Sequence, residues 1–372
     1  MSFVMKPPFR VRAPGRINLI GEHVDYQDGW VMPMAIDRYI EAVIRPLEED
    51  VVRVQSDRNP EGQVCASLTE SQPREGSEAW SNYILGVIAV YRDEGIHCPG
   101  FSMQLSADLP SGAGLSSSAA LETVTALAVE HLAGVQLDPV TRAKFCQRAE
   151  HGWAGVPCGI MDQLAVGASE AGHALMIDCR DQSMEPVAFP EGVAVVVADT
   201  QVAHALADGE YKKRRAACEA AARHFGVSAL REVSIDQVLS AADALGDRLF
   251  RRARHVVSEI ARVPAFAEAL RLEAFETVGK LMRASHDSLR DDFEVSCVEL
   301  DTLVDAAYAF GADQGLIGSR MTGGGFGGST VSLVHAAATE DLMRHLEHSY
   351  AARYPRAAKI FSIQAAPGAQ VL

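Results

Sequence analysis

Hydrophobic and polar positions change period several times along the chain, and each change marks an expected element. Phe101, Met103 and Leu105 alternate with Ser102, Gln104 and Ser106, the period of a half-buried strand. Leu121, Val124, Ala128 and Leu132 then recur at helical spacing. Between them lies a run of small residues, Pro110 to Ala119, so the order is strand, loop, helix. Phe9 to Ala13 alternates as an edge strand would, and Ile40–Ile44 and Val51–Gln55 read as further strands. Residues 56–78 are polar with Pro and Gly and predict an exposed connection. A helix is expected over Trp80–Arg92. Another is opened by Asp138 as N-cap with Pro139 behind it, runs to about His151 and carries Glu150. Ala174–Asp178 and Val193–Ala198 look like buried strands, with a domain break near residue 180. Several helices follow, then strands near 330–335 and 360–365.

Length supports that division, because 372 residues suit two domains better than one, here 1–180 and 181–372. A net charge of −15 argues against nucleic acid or an anionic membrane as the main partner. Seven cysteines, an odd number with no C-x-x-C pair, read as thiols of a reducing compartment, so a cytoplasmic protein is expected. The first fourteen residues lack the apolar core of a secretory signal, and the apolar run Tyr83–Tyr91 is too short to span a bilayer.

Three stretches carry candidate chemistry. In Pro110–Ala119, Gly112 and Gly114 let a backbone approach a ligand, and Ser116, Ser117 and Ser118 fall where a helix begins. There N–H groups and the positive end of the dipole favour phosphate, and a hydroxyl can ligate Mg²⁺. A serine capping the helix after a glycine turn is the plainer alternative. In Gly15–Gly29, Arg16, Glu22, His23 and Asp25 cluster within ten residues, either a solvated loop or carboxylates that accept hydroxyl hydrogen bonds. Thr322–Ser329 contains G-x-G-x-x-G, but a strand follows it where a dinucleotide fingerprint requires a helix. It reads instead as backbone packed closely against a ligand or another loop. Elsewhere, Asp162 sits among Ile160, Met161, Leu164 and Ala165, where a carboxylate must be paired, metal-bound, used, or capping a helix. Lys212 to Arg215 reads most simply as a solvated charged face. Trp80 could stack on a base or pack in the core, and His255 and His286 read as structural.

Together these stretches resemble the GHMP kinase family. Gly15 to Tyr26 is similar to its G-R-x-N-L-I-G-E-H-x-D-Y sugar signature, Pro110 to Ala119 to its P-x-G-x-G-L-S-S-S-A phosphate loop, and Thr322 to Ser329 to its C-terminal glycine loop. Weaker matches at Trp80–Tyr83, Cys158–Gln163, Tyr211–Glu219 and Ser285–Arg290 carry the resemblance almost end to end. It implies an α+β fold in two lobes with the active site in the cleft between them. It implies an ATP- and Mg²⁺-dependent kinase acting on the C1 hydroxyl of galactose, a monomer with no membrane or nucleic-acid partner. Asp162 resembles the catalytic base, with Arg16 its partner at the anomeric hydroxyl. Ser118 and Glu150 match the Mg²⁺ ligands. Gly112, Ala113, Gly114, Leu115, Ser116, Ser117 and Ser118 match the triphosphate cradle, and Trp80 the adenine pocket. Glu22, His23, Val24, Asp25, Gly159 and Tyr211 match sugar contacts.

The chain departs from the family pattern with Val24 for Thr, Gln27 for Asn, and Ala203 for the Arg that precedes the His at 204. N-acetylgalactosamine, arabinose and galacturonate are alternative substrates. Glu22 favours a neutral 6-hydroxymethyl sugar over a 6-carboxylate. An intact Ser118-Ala119-Ala120 and the presence of Asp162 favour an enzyme over a non-catalytic galactose sensor.

Overall fold

The computed structural model describes residues 7–110, 112–203 and 207–372; Ser111 and His204 lie outside them. In chain order come β1 (Phe9–Asn18), β2 (Trp30–Val31), β3 (Pro33–Pro46), β4 (Val51–Ser56), β5 (Asn59–Ser67), α1 (Asn82–Asp93), β6 (Phe101–Ala107), α2 (Ser117–Ala133) and α3 (Pro139–Ala149). A π-helical turn, Glu150–Ala154, follows α3 directly. Then come α4 (Met161–Ala168), β7 (His173–Asp178), β8 (Met184–Ala188), β9 (Val193–Ala203), α5 (Ala207–Phe225), α6 (Ile235–Ser240), α7 (Ala242–Arg271), α8 (Phe275–Asp291) and α9 (Val298–Phe310). The chain continues through β10 (Leu316–Thr322), β11 (Gly327–His335), α10 (Thr339–Ala351), β12 (Lys359–Ile363) and β13 (Gln370–Val371).

Three sheets organise these elements: β13-β1-β3-β6-β4-β5, β10-β11-β9-β12, and β2-β7-β8. The alternation along β6 buries Phe101, Met103 and Leu105 in the main apolar core, while Ser102, Gln104 and Ser106 point away. Helix α2 is buried along most of its length, because its alanines let it sit close to β1 and β3 on one side and α1 and α4 on the other. Asp138 caps α3 as expected, its Oδ1 accepting from the N–H groups of Val140 and Thr141 at 3.0 Å. The second sheet packs on α8, α9 and α10. All seven cysteines are free thiols. Among the described residues no helix is long and apolar enough to cross a membrane.

Three expectations need correcting. First, β1 is not an edge strand; it lies between β13 and β3 and continues to Asn18, so the polar signature stretch begins inside a strand. Second, residues 56–78 are not wholly a connection. Asn59–Ser67 forms β5, in which Asn59, Gln63 and Ser67 are exposed while Val64 and Ala66 are buried. Third, the helix expected from Trp80 starts at Asn82, after a 3₁₀ turn over Gly76–Ser81. Residue 180 falls in the tight turn of the β7–β8 hairpin, where the Asp178 N–H donates to the Ser183 carbonyl at 2.9 Å. The C-terminal segment also returns to the first lobe: Ala35 and Asp37 bond to Ala366 and Gln364, and β13 pairs with Val11 and Arg12 of β1.

Candidate active site

Where β1 ends, Arg16 is 5% exposed and organises what surrounds it. Its backbone N–H donates to the Leu115 carbonyl at 3.1 Å and its Nη1 to the Gly114 carbonyl at 2.6 Å, fixing the phosphate loop to the strand. Its Nε and Nη2 meet the two oxygens of Asp162 at 2.8 and 2.6 Å, a two-pronged ion pair at the start of α4. Ser116 adds a hydrogen bond to Asp162 Oδ2. Ser116 adopts a left-handed conformation at φ 56° and makes no side-chain capping bond to α2. The plain capping role therefore does not apply to it. Its strained backbone aims the hydroxyl at Asp162 instead.

These residues open on a cavity of about 440 Å³, lined also by Glu22, His23, Asp25, Glu150, Gly159, Tyr211 and Gly323 to Phe326. Asp25 faces Gly159, where a Cβ would lie 1.6 Å from Asp25 Oδ2; only glycine permits that approach. Burial, and then the charge on Asp162, push the Asp25 carboxyl up to about 6 from 3.8. The folded state therefore holds the Asp25 proton more tightly than the unfolded chain. Stability from this group is present at low pH and is lost as pH rises through about 4 to 6. Asp25→Asn is expected to melt higher than the unaltered protein at pH 7.5, by about 2 °C or more. Calorimetric scans should show the gap narrowing at pH 5; an equal gap at both pH values contradicts the assignment.

Glu22 is nearly buried, and its Oε1 accepts from the Gly323 N–H at 2.7 Å and the Thr322 hydroxyl at 3.2 Å. Burial raises its carboxyl, against the opposing charges of Arg320 and Arg16. Burial also pushes the His23 imidazole down to about 3, so it is neutral. Its Nε2–H donates to the Gly324 carbonyl at 3.0 Å, and its Nδ1 accepts from the Tyr26 hydroxyl at 3.2 Å. Tyr211 lies against the His23 ring, with centroids 5.3 Å apart. The run Lys212 to Arg215 is not a purely solvated face. Arg214 Nε donates to the Phe293 carbonyl and Arg215 Nη1 to that of Pro157, both at 2.8 Å. Val24 and Gln27 stand apart from the cavity: Val24 is buried in the second core, and Gln27 Oε1 accepts from the Leu230 N–H at 3.0 Å.

The glycine-rich stretch packs against the phosphate loop, as its composition predicts. Ser329 donates to the Ala113 carbonyl at 2.7 Å, and a Cβ on Gly323 would sit 3.2 Å from the Gly114 carbonyl oxygen. Beyond Ser117 and Ser118 a second cavity, about 310 Å³, is walled by Trp80, Tyr83, Leu105 and Leu121. The Trp80 Nε1 is buried there without a partner. Glu150 is 5% exposed in the π-helical turn, with the Ser118 hydroxyl close enough to favour its charged form. Burial chiefly, then the Asp162 charge against several hydrogen bonds, pushes its carboxyl up to about 7. Glu122, fully buried nearby, is raised well above the ordinary carboxylate range by burial and then by Glu150.

Several supporting residues gave no sequence signal. Glu259, fully buried on α7, accepts from the Gly21 N–H at 2.9 Å. Burial favours its neutral form, but Arg262 and Arg320 outweigh that and hold the carboxyl down at about 2. Arg320, fully buried on β10, donates to the Asn18 carbonyl at 3.0 Å. His255 is indeed structural, its Nε2 holding the Glu22 carbonyl at 3.1 Å. In sequence these are a lone Glu, Arg and His on ordinary elements.

Comparison with known proteins gives one pattern along the chain. A model described as the galactokinase galactose-binding signature matches residues 2–46. Those of the GHMP kinases N-terminal and C-terminal domains match residues 82–170 and 266–352. Human galactokinase is 43% identical over 100% of this chain and 94% of its own length. The galactokinase of Chloroflexus aggregans is 46% identical over 94% of this chain and 90% of its own. The crystal structure of Lactococcus lactis galactokinase complexed with galactose is similar with a TM-score of 0.94 at 32% identity, covering 99% of this chain and 96% of that one.

Proposed function

Because the chain belongs to the GHMP kinases, and within them to the galactokinases, we propose that its central cavity transfers the γ-phosphoryl group of ATP to the C1 hydroxyl of galactose. The observation that carries this reading is the Arg16–Asp162 pair, set between the cavity and the phosphate loop. The C1 oxygen forms a bond to the γ-phosphorus as the bond from that phosphorus to the β,γ-bridging oxygen of ATP breaks. Asp162 accepts the C1 proton. Arg16 holds Asp162 with two prongs and faces the negative charge that gathers on the attacking oxygen. Glu22, Asp25 and Tyr211 fix the sugar, and neutral His23 holds the glycine loop over it. Gly112 to Ser118 present backbone N–H groups to the phosphates. Trp80 forms the wall of the pocket for the base.

Ser118 and Glu150 fit Mg²⁺: a hydroxyl near a carboxylate, in a region crowded with acids, is what a cation shared with nucleotide phosphates needs. The ion supplies charge neutralisation for the phosphates when bound. Ser118→Ala and Glu150→Gln are expected to lower turnover by at least about tenfold and raise the Mg²⁺ requirement, with galactose affinity held within about threefold. Magnesium titrations of the rate, with calorimetry of galactose binding, check this. Lost sugar affinity with an ordinary Mg²⁺ response counts against it.

The free thiols support a reducing, cytoplasmic setting, and a monomer is the expected assembly. The deciding experiment offers ATP, Mg²⁺ and a panel of sugars including galactose, N-acetylgalactosamine, arabinose and galacturonate, then identifies the phosphorylated carbon. Galactose 1-phosphate as the main product supports the reading. Phosphate on C6, or brisk turnover of another sugar with none of galactose, overturns it.

A further inference from the structure

Gln163 follows Asp162 on α4 but is directed into the interior, where it is 1% exposed. Its amide nitrogen donates to Glu150 Oε2 at 2.7 Å and to Glu122 Oε2 at 3.2 Å. Glu122 is fully buried one turn along α2 from Ser118, and its Oε1 has no partner. The two N–H groups of one primary amide can serve one carboxylate each, so Gln163 bridges a pair of acids that would otherwise repel across a buried gap. The other grip on Glu150 Oε2 is the Cys158 thiol at 3.1 Å, a weak donor.

We infer that Gln163 is a positioning residue for the cation: its amide, braced against Glu122, holds Glu150 beside the Ser118 hydroxyl in the orientation that Mg²⁺ requires. The inference deepens the reading of Glu150 as a cation ligand and rests on it. Amides and carboxylates behind a metal carboxylate set its direction and its availability, and their loss commonly costs about 10–100-fold in metal affinity. Gln163 also links two parts of the site through the backbone, because the residue before it carries the carboxylate bound by Arg16.

The test replaces Gln163 by Met, which keeps length and bulk without a donor. Calorimetry measures ADP binding with and without Mg²⁺, and galactose binding, beside the Mg²⁺ dependence of the rate. The strengthening of ADP affinity by Mg²⁺ should shrink by about fivefold or more. Half-saturating Mg²⁺ should rise by a similar factor, with galactose affinity within twofold. A merely structural glutamine would lower the melting temperature and leave the Mg²⁺ effect on ADP unchanged, and that result overturns the inference. Should Gln163→Met not fold, Gln163→Leu, which likewise carries no donor, is read in the same way. Glu150→Gln is measured in parallel. If Glu150→Gln leaves the Mg²⁺ effect intact, the ligand assignment itself fails. If Glu150→Gln abolishes the effect and the Gln163 variants do not alter it, only the positioning role fails.

Discussion

Replacing Asp162 by Asn should lower kcat by at least about a hundredfold, within the 10²–10⁴ that general-base assistance supplies. The substitution keeps size and shape, but an amide cannot take up the C1 proton. It also spoils the pairing with Arg16: an amide offers one acceptor where the guanidinium meets two oxygens at 2.8 and 2.6 Å. Galactose affinity should change by less than about tenfold, because the carboxylates of Glu22 and Asp25 remain. Arg16→Met should also be severe, since Arg16 fixes the Gly114 carbonyl as well as Asp162. The two losses should not multiply, because each variant already breaks the same ion pair. Steady-state kinetics of both single variants and the double variant, with galactose binding by calorimetry, decides the matter. An Asp162→Asn enzyme retaining more than roughly a tenth of the original turnover would remove Asp162 as the base, leaving positioning alone to account for transfer.

Gly159→Ala should raise the galactose KM by about tenfold or more while the ATP KM stays within about twofold. The added methyl would stand 1.6 Å from Asp25 Oδ2 and 2.1 Å from its Cγ, so Asp25 or the loop ahead of α4 must move. A hydrogen bond to a charged group contributes about 1.5–3 kcal/mol, roughly ten- to a hundredfold in affinity. The phosphate loop and the Trp80 pocket do not touch Gly159 and should feel little. A galactose KM that stayed unchanged would mean Asp25 does not hold the sugar. A Gly159→Ala, Asp25→Ala double variant no worse than Asp25→Ala alone would show that both act at one contact.

Much of the site was legible because its signals are local. The alternation of β6, the capped start of α3 and the small-residue run before α2 are each decided within a few positions, and the structure follows them. Whatever depends on residues far away in sequence was not legible. The pattern around Glu150 shows only a Glu on a helix; a π-helical turn and the packing of α1 bury it. Arg214 and Arg215 read as surface charge until the carbonyls of Phe293 and Pro157 arrive from other segments. Ser116 looks like a cap, and its hydroxyl finds Asp162 forty-six positions onward. Strand β5 hides because an outer strand needs a burial pattern on one face only, which Val64 and Ala66 alone supply. The signature residues Val24 and Gln27 lie within a sugar motif, yet their side chains pack the core and hold Leu230; motif membership does not say which way a side chain points.

Strand β13 sets an order of events during synthesis. The Leu372 N–H donates to the Arg10 carbonyl at 2.8 Å, so a strand translated after the whole second lobe completes the sheet that β1 begins. Until it leaves the ribosome, β1 is a bare sheet edge, open to pairing with a neighbouring nascent chain. The lobe carrying the phosphate loop is thus begun before the second lobe and sealed after it.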